Sequence, residues 1–304
     1  MRKMLNLVKR NCLVFVRNRS AVFFSLLSML IVLLLQVVFL GNINEESVIS
    51  VLTEYGGVRD TVVDAENAKH FTAYWTLAGI MVVNALTATV SVIGTMIDDQ
   101  SRNRMESFFC APMKRWMIAL SYMISAVLVG FVMCMLTLAI ALGYICVSGG
   151  EMLGAIAILK IAGYTLLNVI IFAVIMYIAA MFVKSSSAWG GLSTIIGTLV
   201  GFVGAIYLPM GSLPESVGNV LKVFPILHGA SLMREVCCAD ILEKTFSGVP
   251  ELAVKEFEKA MGITVYWEDA LVTADQQLMI LVTYGLVAFA IVVLLVRKKR
   301  VSDR

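Results

Sequence analysis

Apolar residues along this chain gather into long runs separated by short polar breaks. Six runs, 21–40, 74–97, 117–146, 161–183, 188–208 and 278–296, reach the roughly 20 residues that a helix needs to cross the hydrocarbon core of a bilayer. None shows the alternation of a lipid-facing barrel strand, and only helices and closed barrels satisfy every backbone polar group in lipid. The pattern predicts an all-α integral membrane protein with six transmembrane helices in one domain over residues 1–304. The first run is too long for the h-region of a signal peptide and lacks a small-x-small cleavage site, which predicts a retained anchor.

The polar breaks differ in charge. Segments 1–20, 98–116, 184–187 and 297–304 carry 16 Lys/Arg against 4 Asp/Glu, whereas 41–73, 147–152 and 209–277 carry 7 against 17. The positive-inside rule places the basic set, and with it the N- and C-termini, in the cytoplasm. An even number of spans agrees.

Several breaks have structure of their own. Wound at 100° per residue, residues 1–17 separate Arg2, Lys3, Asn6, Lys9, Arg10 and Arg17 from Met4, Leu5, Val8, Cys12, Phe15 and Val16. That predicts an N-terminal amphipathic interfacial helix with its basic face toward anionic lipid headgroups. The acidic stretch 41–71, with Gly56-Gly57 in its middle, predicts a small irregular or partly helical cap. The extracellular segment 209–277 is expected to be helical. Val217, Val220, Leu221 and Phe224 predict a short helix with one apolar face, ended by Pro225. A second helix is expected over 227–242, and a third from Pro250, with Glu251 and Lys255 at i, i+4 and a closing Gly262.

Composition narrows the function. With 60% hydrophobic residues, 15% charged and a mean hydropathy of +0.89, the chain is far from the roughly 45–50% apolar share of soluble domains. A net charge of +3, without basic runs interleaved with aromatics, predicts no nucleic-acid partner. No Asp, Glu or His falls inside the six runs, which argues against a proton-coupled transporter. The six cysteines lack C-x-x-C pairs or partnering histidines, so no metal site is expected; Cys237 and Cys238 read as small buried residues, with a redox role as the alternative. No catalytic cluster is visible. Lys160, the one charge embedded in an apolar run, is expected at the interface. Gly197-x-x-x-Gly201 predicts close approach of a second helix, within one chain or between two.

The longest cytoplasmic break between spans, 98–115, mixes Arg102, Arg104 and Glu106 with Phe108 and Phe109. A segment that docks in a partner's cleft has this make-up. Phe108 and Phe109 would fill the cleft, and Glu106 would pair either with a basic residue of the partner or with the amino-terminal helix.

Three features together resemble the permease subunits of type-2 ABC exporters, over nearly the whole chain. They are the basic amphipathic helix running through Arg17-Asn18-Arg19-Ser20 into span one; Glu106 six residues before Pro112 in the loop after span two; and Leu213-Pro214-Glu215 followed by Phe224-Pro225 and Leu232-Met233-Arg234. Asn103-Arg104 and Ser121-Tyr122 stand where the family usually has Gly-Thr and Gly-Lys. The resemblance implies a multi-pass protein of the plasma membrane of a bacterial cell, working as a two-fold dimer with a second copy or a related permease. Each half docks a separate ABC ATP-binding subunit, which binds ATP and Mg. This chain has no G-x-x-x-x-G-K-[ST] loop and is expected to hydrolyse no ATP and bind no cofactor. The resemblance also makes Pro214, Phe224, Pro225 and Arg234 part of an extracellular gate. The expected cargo is an amphipathic compound such as a drug, peptide antibiotic or lipid-like molecule, moved outward; a sensor or assembly factor that transports nothing is the alternative.

Overall fold

A computed structural model describes residues 2–35, 41–105, 114–268 and 270–302. Helices dominate: α1 (Arg2–Arg17), α2 (Arg19–Leu35), α3 (Gly41–Tyr55), α4 (Thr61–Ser101), α5 (Arg115–Val147), α6 (Ala155–Phe182), α7 (Ser186–Val203), α8 (Glu215–Leu221), α9 (Pro225–Thr245), α10 (Glu251–Met261) and α11 (Ala274–Ser302). The all-α expectation holds for the bundle; besides it, one small antiparallel hairpin, β1 (Val265–Trp267) with β2 (Ala270–Val272), pairs Val265 with Val272.

Among the described residues five helices are long and apolar enough to cross a membrane: α4, α5, α6, α7 and α11. The sixth expected span corresponds to α2, whose 17 residues stop short of that length; residues 36–40 of that run lie outside the described residues. The five differ in burial, and that orders the bundle. α4 is its axis, with most residues from Phe71 to Ile97 buried. α5 and α6 each bury one face against it. α7 and α11 turn Ile195, Leu199, Leu286 and Leu294 outward, as lipid-facing helices do.

The acidic end is regular. Of the irregular or partly helical cap expected over 41–71, the partly helical form is found: α3 ends at Tyr55, and after a short turn α4 starts at Thr61 and runs unbroken for 41 residues. Asp60 caps it by accepting from the Val62 N–H at 2.9 Å, and neither proline nor a turn signal interrupts it. Arg59, just before the cap, bonds Asp64 at 3.0 and 3.1 Å and the carbonyls of Thr245 and Ser247 at 2.8 and 2.7 Å, fastening this corner to the end of α9.

The segment after α7 follows its expected helices closely. α9 opens with Pro225 at its first turn, α10 closes on Gly262 at φ +65°, and Lys255 pairs with Glu251 at 2.6 Å. In α8 only Leu221 of the predicted apolar face turns inward; Val217, Val220 and the following Phe224 are exposed. Cys237 and Cys238 are both buried and in no disulfide.

Candidate coupling site

At the basic end of the bundle, α4 finishes in two adjacent carboxylates with different surroundings. Asp99 is 2% exposed. Its Oδ1 accepts from Arg10 Nη2 at 2.7 Å, its Oδ2 pairs with the other nitrogen of the same guanidinium, and Tyr122 Oη donates to Oδ2 at 2.7 Å. Arg104 approaches Oδ1 at 3.7 Å from the exposed side. Asp98 instead accepts from Ser186 Oγ at 2.6 Å, and Ser186 meets Ser101 at 3.0 Å.

One turn of α4 thus joins α1, α5 and α7. A fork-on-carboxylate pair with a third donor is the geometry in which a buried ion pair recovers its desolvation cost. The neighbouring Asp99 carboxylate raises the Arg10 guanidinium further above its usual value. Arg10 therefore leaves the basic arc expected to face headgroups. Leu7, Val8, Asn11 and Phe15 of α1 are buried and Arg10 is half-buried beside them, and Ser125 of α5 reaches the Val8 carbonyl at 3.3 Å.

Of the residues expected in the coupling segment, Arg102 and Arg104 are exposed just beyond the knot. Arg102 terminates α4, its N–H bonding the carbonyl of Asp98, and Asn103 takes φ +55°, a left-handed turn that asparagine tolerates. Glu106, Phe108, Phe109 and Pro112 lie outside the described residues.

At the acidic end, the expected gate residues separate into two kinds. Pro214 and Phe224 cap α8 and α9, and Pro225 starts α9. Arg234 is fully buried. Its guanidinium bonds the carbonyls of Gly262 (3.1 Å), Gly204 (3.3 Å) and Ala205 (2.6 Å) and lies 4.4 Å from the centre of the Trp75 ring. Burial lowers it to about 10, so it keeps its charge at neutral pH with carbonyl dipoles and an aromatic face as partners. Trp75 in turn donates its ring N–H to the Met261 carbonyl at 2.9 Å.

Compared with known families, residues 42–294 match the model described as ABC-2 family transporter protein. The chain belongs to the ABC-2 transporter family. It is a membrane permease of an ABC transporter, the kind of subunit that carries the path rather than the ATPase. No curated protein matches the chain.

In an ABC-2 permease the Asp99 knot stands at the threshold of the segment expected to meet the engine. The sequence pattern puts Arg10 on the headgroup-facing arc and gives neither Asp99 nor Tyr122 a role in the site. One signal was available: Asp98-Asp99 are two of only four acids among the basic breaks, directly at the end of an apolar run. The two glycines of α7 also differ. A side chain on Gly201 would collide with the Tyr207 ring of the same chain, whereas the space beside Gly197 is open.

Proposed function

We propose that this ABC-2 permease exports an amphipathic compound, driven by a separate ATP-binding subunit that docks on residues 102–112. In this reading the basic end faces the cytoplasm and the acidic end faces outward. Two permeases, identical or related, enclose the path.

The observation that carries the proposal is the buried Asp99 knot. A coupling segment must transmit force from the partner's nucleotide cycle to the spans, and force is transmitted by elements that are tied together rather than by a solvated hinge. Arg102 and Arg104 follow Asp99 by three and five residues, so a push on the docked segment acts directly on the turn that holds α1, α4, α5 and α7. Phe108 and Phe109 would anchor the docked segment in the partner's cleft.

The test is co-purification of the ATP-binding subunit and substrate-stimulated ATP hydrolysis. Phe108→Ala/Phe109→Ala should lose both, since removing a buried aromatic anchor costs about 2 kcal/mol or more. Wild-type values in both assays would place the docking site elsewhere.

A further inference from the structure

At the acidic end a cavity of about 190 Å³ lies between the first turns of α4, the turn after α5 and the second half of α9. Its frame is tied in place. From α4, His70 Nε2 meets the Ser148 carbonyl at 3.3 Å and Tyr74 Oη donates to the Glu151 carbonyl, so the turn is held at a fixed distance from the helix. From α9, Lys244 Nζ donates to Glu151 Oε1 at 2.8 Å and closes the frame.

Inside that frame polar groups are left over. Asn67 is 6% exposed, lines the cavity, and its amide bonds to no described residue. Buried amides are ordinarily bonded, so this one is presented to whatever enters. Glu66 and Asp240 line the same cavity and take part in no ion pair among the described residues, whereas Glu151 matches the charge of Lys244. Val63, Leu153 and Ile241 supply an apolar wall.

We propose that this cavity binds a short aliphatic diamine, its two ammonium groups against Glu66 and Asp240, one of them donating also to Asn67, and its methylenes along the apolar wall. Charge selects this occupant, because two uncompensated carboxylates match two positive charges. Each ammonium carries three donors, enough to serve a carboxylate and an amide oxygen together. A bare calcium ion would need six or more oxygen ligands, and the described acids and histidines form no group able to hold a metal. The volume lies below the roughly 300 Å³ at which pockets for drug-sized ligands begin. The site is therefore separate from the path of the exported compound, and the inference does not depend on what that compound is.

The full chain in mild detergent would be titrated calorimetrically with diaminobutane. One saturable site per chain is expected, with butylamine bound at least tenfold more weakly and calcium at equal concentration displacing nothing. Glu66→Gln/Asp240→Asn should raise Kd at least tenfold, and so should Asn67→Leu. Val63→Trp, which fills the cavity from an exposed position with the acids intact, should abolish binding and serves if Asn67→Leu fails to fold. Glu54→Gln/Glu256→Gln removes two acids of the same end that lie outside the cavity and should leave Kd unchanged. No saturable binding, equal affinity for butylamine, displacement by calcium, wild-type affinity in the Glu66/Asp240 variant, or an equal loss in the Glu54/Glu256 variant would overturn the proposal.

Discussion

Arg234 stacks on Trp75 at 4.4 Å, a charged contact within the apolar packing of α9 against the buried axis of the bundle. Every other partner of the guanidinium is a backbone carbonyl, from the end of α7 or from the turn after α10. The expected gate is thus bolted to α4 by its own signature arginine, and whatever moves in it moves with α4 or against that bolt.

Removing the bolt should be costly. Arg234→Leu leaves three buried carbonyls without a donor and forfeits the cation–π contact, a loss on the order of 3 kcal/mol. Trp75→Phe keeps a ring under the guanidinium but orphans the Met261 carbonyl, about 1 kcal/mol. Thermal unfolding of the purified permease should rank wild type above Trp75→Phe above Arg234→Leu.

At the basic end, Asp99→Ala leaves Arg10 without its main partner and Tyr122 without an acceptor. Breaking a buried pair in this way costs about 3 kcal/mol. Asp99→Asn, which retains an acceptor for Tyr122, should cost less. In the assembled transporter both should lower substrate-stimulated ATP hydrolysis more than they lower co-purification of the ATP-binding subunit, because the docking residues are untouched. Equal losses in the two assays would assign Asp99 to docking instead.

The glycines of α7 should part company when replaced. Gly201→Leu collides with Tyr207 and should lower the thermal midpoint of the isolated chain. A Cβ at Gly197 meets no described residue of its own chain, so Gly197→Leu should leave that midpoint unchanged while reducing self-association, measured by cross-linking in membranes. A large stability loss from Gly197→Leu would assign its face to packing within the chain.

Burial first, and then the charge of Glu235, raise the Glu258 carboxyl of α10 above its usual value of 4.5, with Lys255 opposing in part. A raised acid is favoured by folding in its protonated form. That contribution is complete below pH 4.5 and is lost as pH rises through the raised value. At pH 7.5 the ionised carboxylate is a burden, so Glu258→Gln should raise the unfolding midpoint there and raise it less at pH 4.5. An equal rise at both would point to packing rather than charge.

Orientation is open to a direct check. A reporter active only outside the cell should work when fused near Gly56 or Gly248 and fail near Arg102. Activity at Arg102 would reverse the bundle.

Hydropathy was a good guide to the lipid-crossing parts of the chain and a poor one to their continuation. It placed the second span at 74–97, but α4 begins at Thr61, because a helix ends at a cap or a breaker and not where lipid ends. The ends of α10 are legible because Pro250 and Gly262 act through their own backbone geometry, whereas Pro225, expected only to stop the helix before it, is the first residue of α9. The place of Arg10 was not legible. A helical wheel assigns every cation to solvent, and its partner Asp99 lies 89 residues away in sequence. Arg234 was recognised by its motif, yet the Trp75 ring that shelters it has no local signature. The hairpin at Val265–Val272 was missed as well, its two strands being only three residues each.

Forty-one residues at a rise of 1.5 Å make α4 about 60 Å long, against about 40–45 Å for a whole bilayer with its headgroups. The clasp at Asp64 and the knot at Asp99 are therefore two ends of one lever. Near its middle Asn84 is held by the Met133 carbonyl and Thr137 of α5, about 35 Å from one end and about 26 Å from the other. Tilted by about 10° around that fulcrum, the rod would swing about 4 Å at its basic end and about 6 Å the opposite way at its acidic end. A see-saw of that kind opens one mouth as it closes the other, with no bending of the beam.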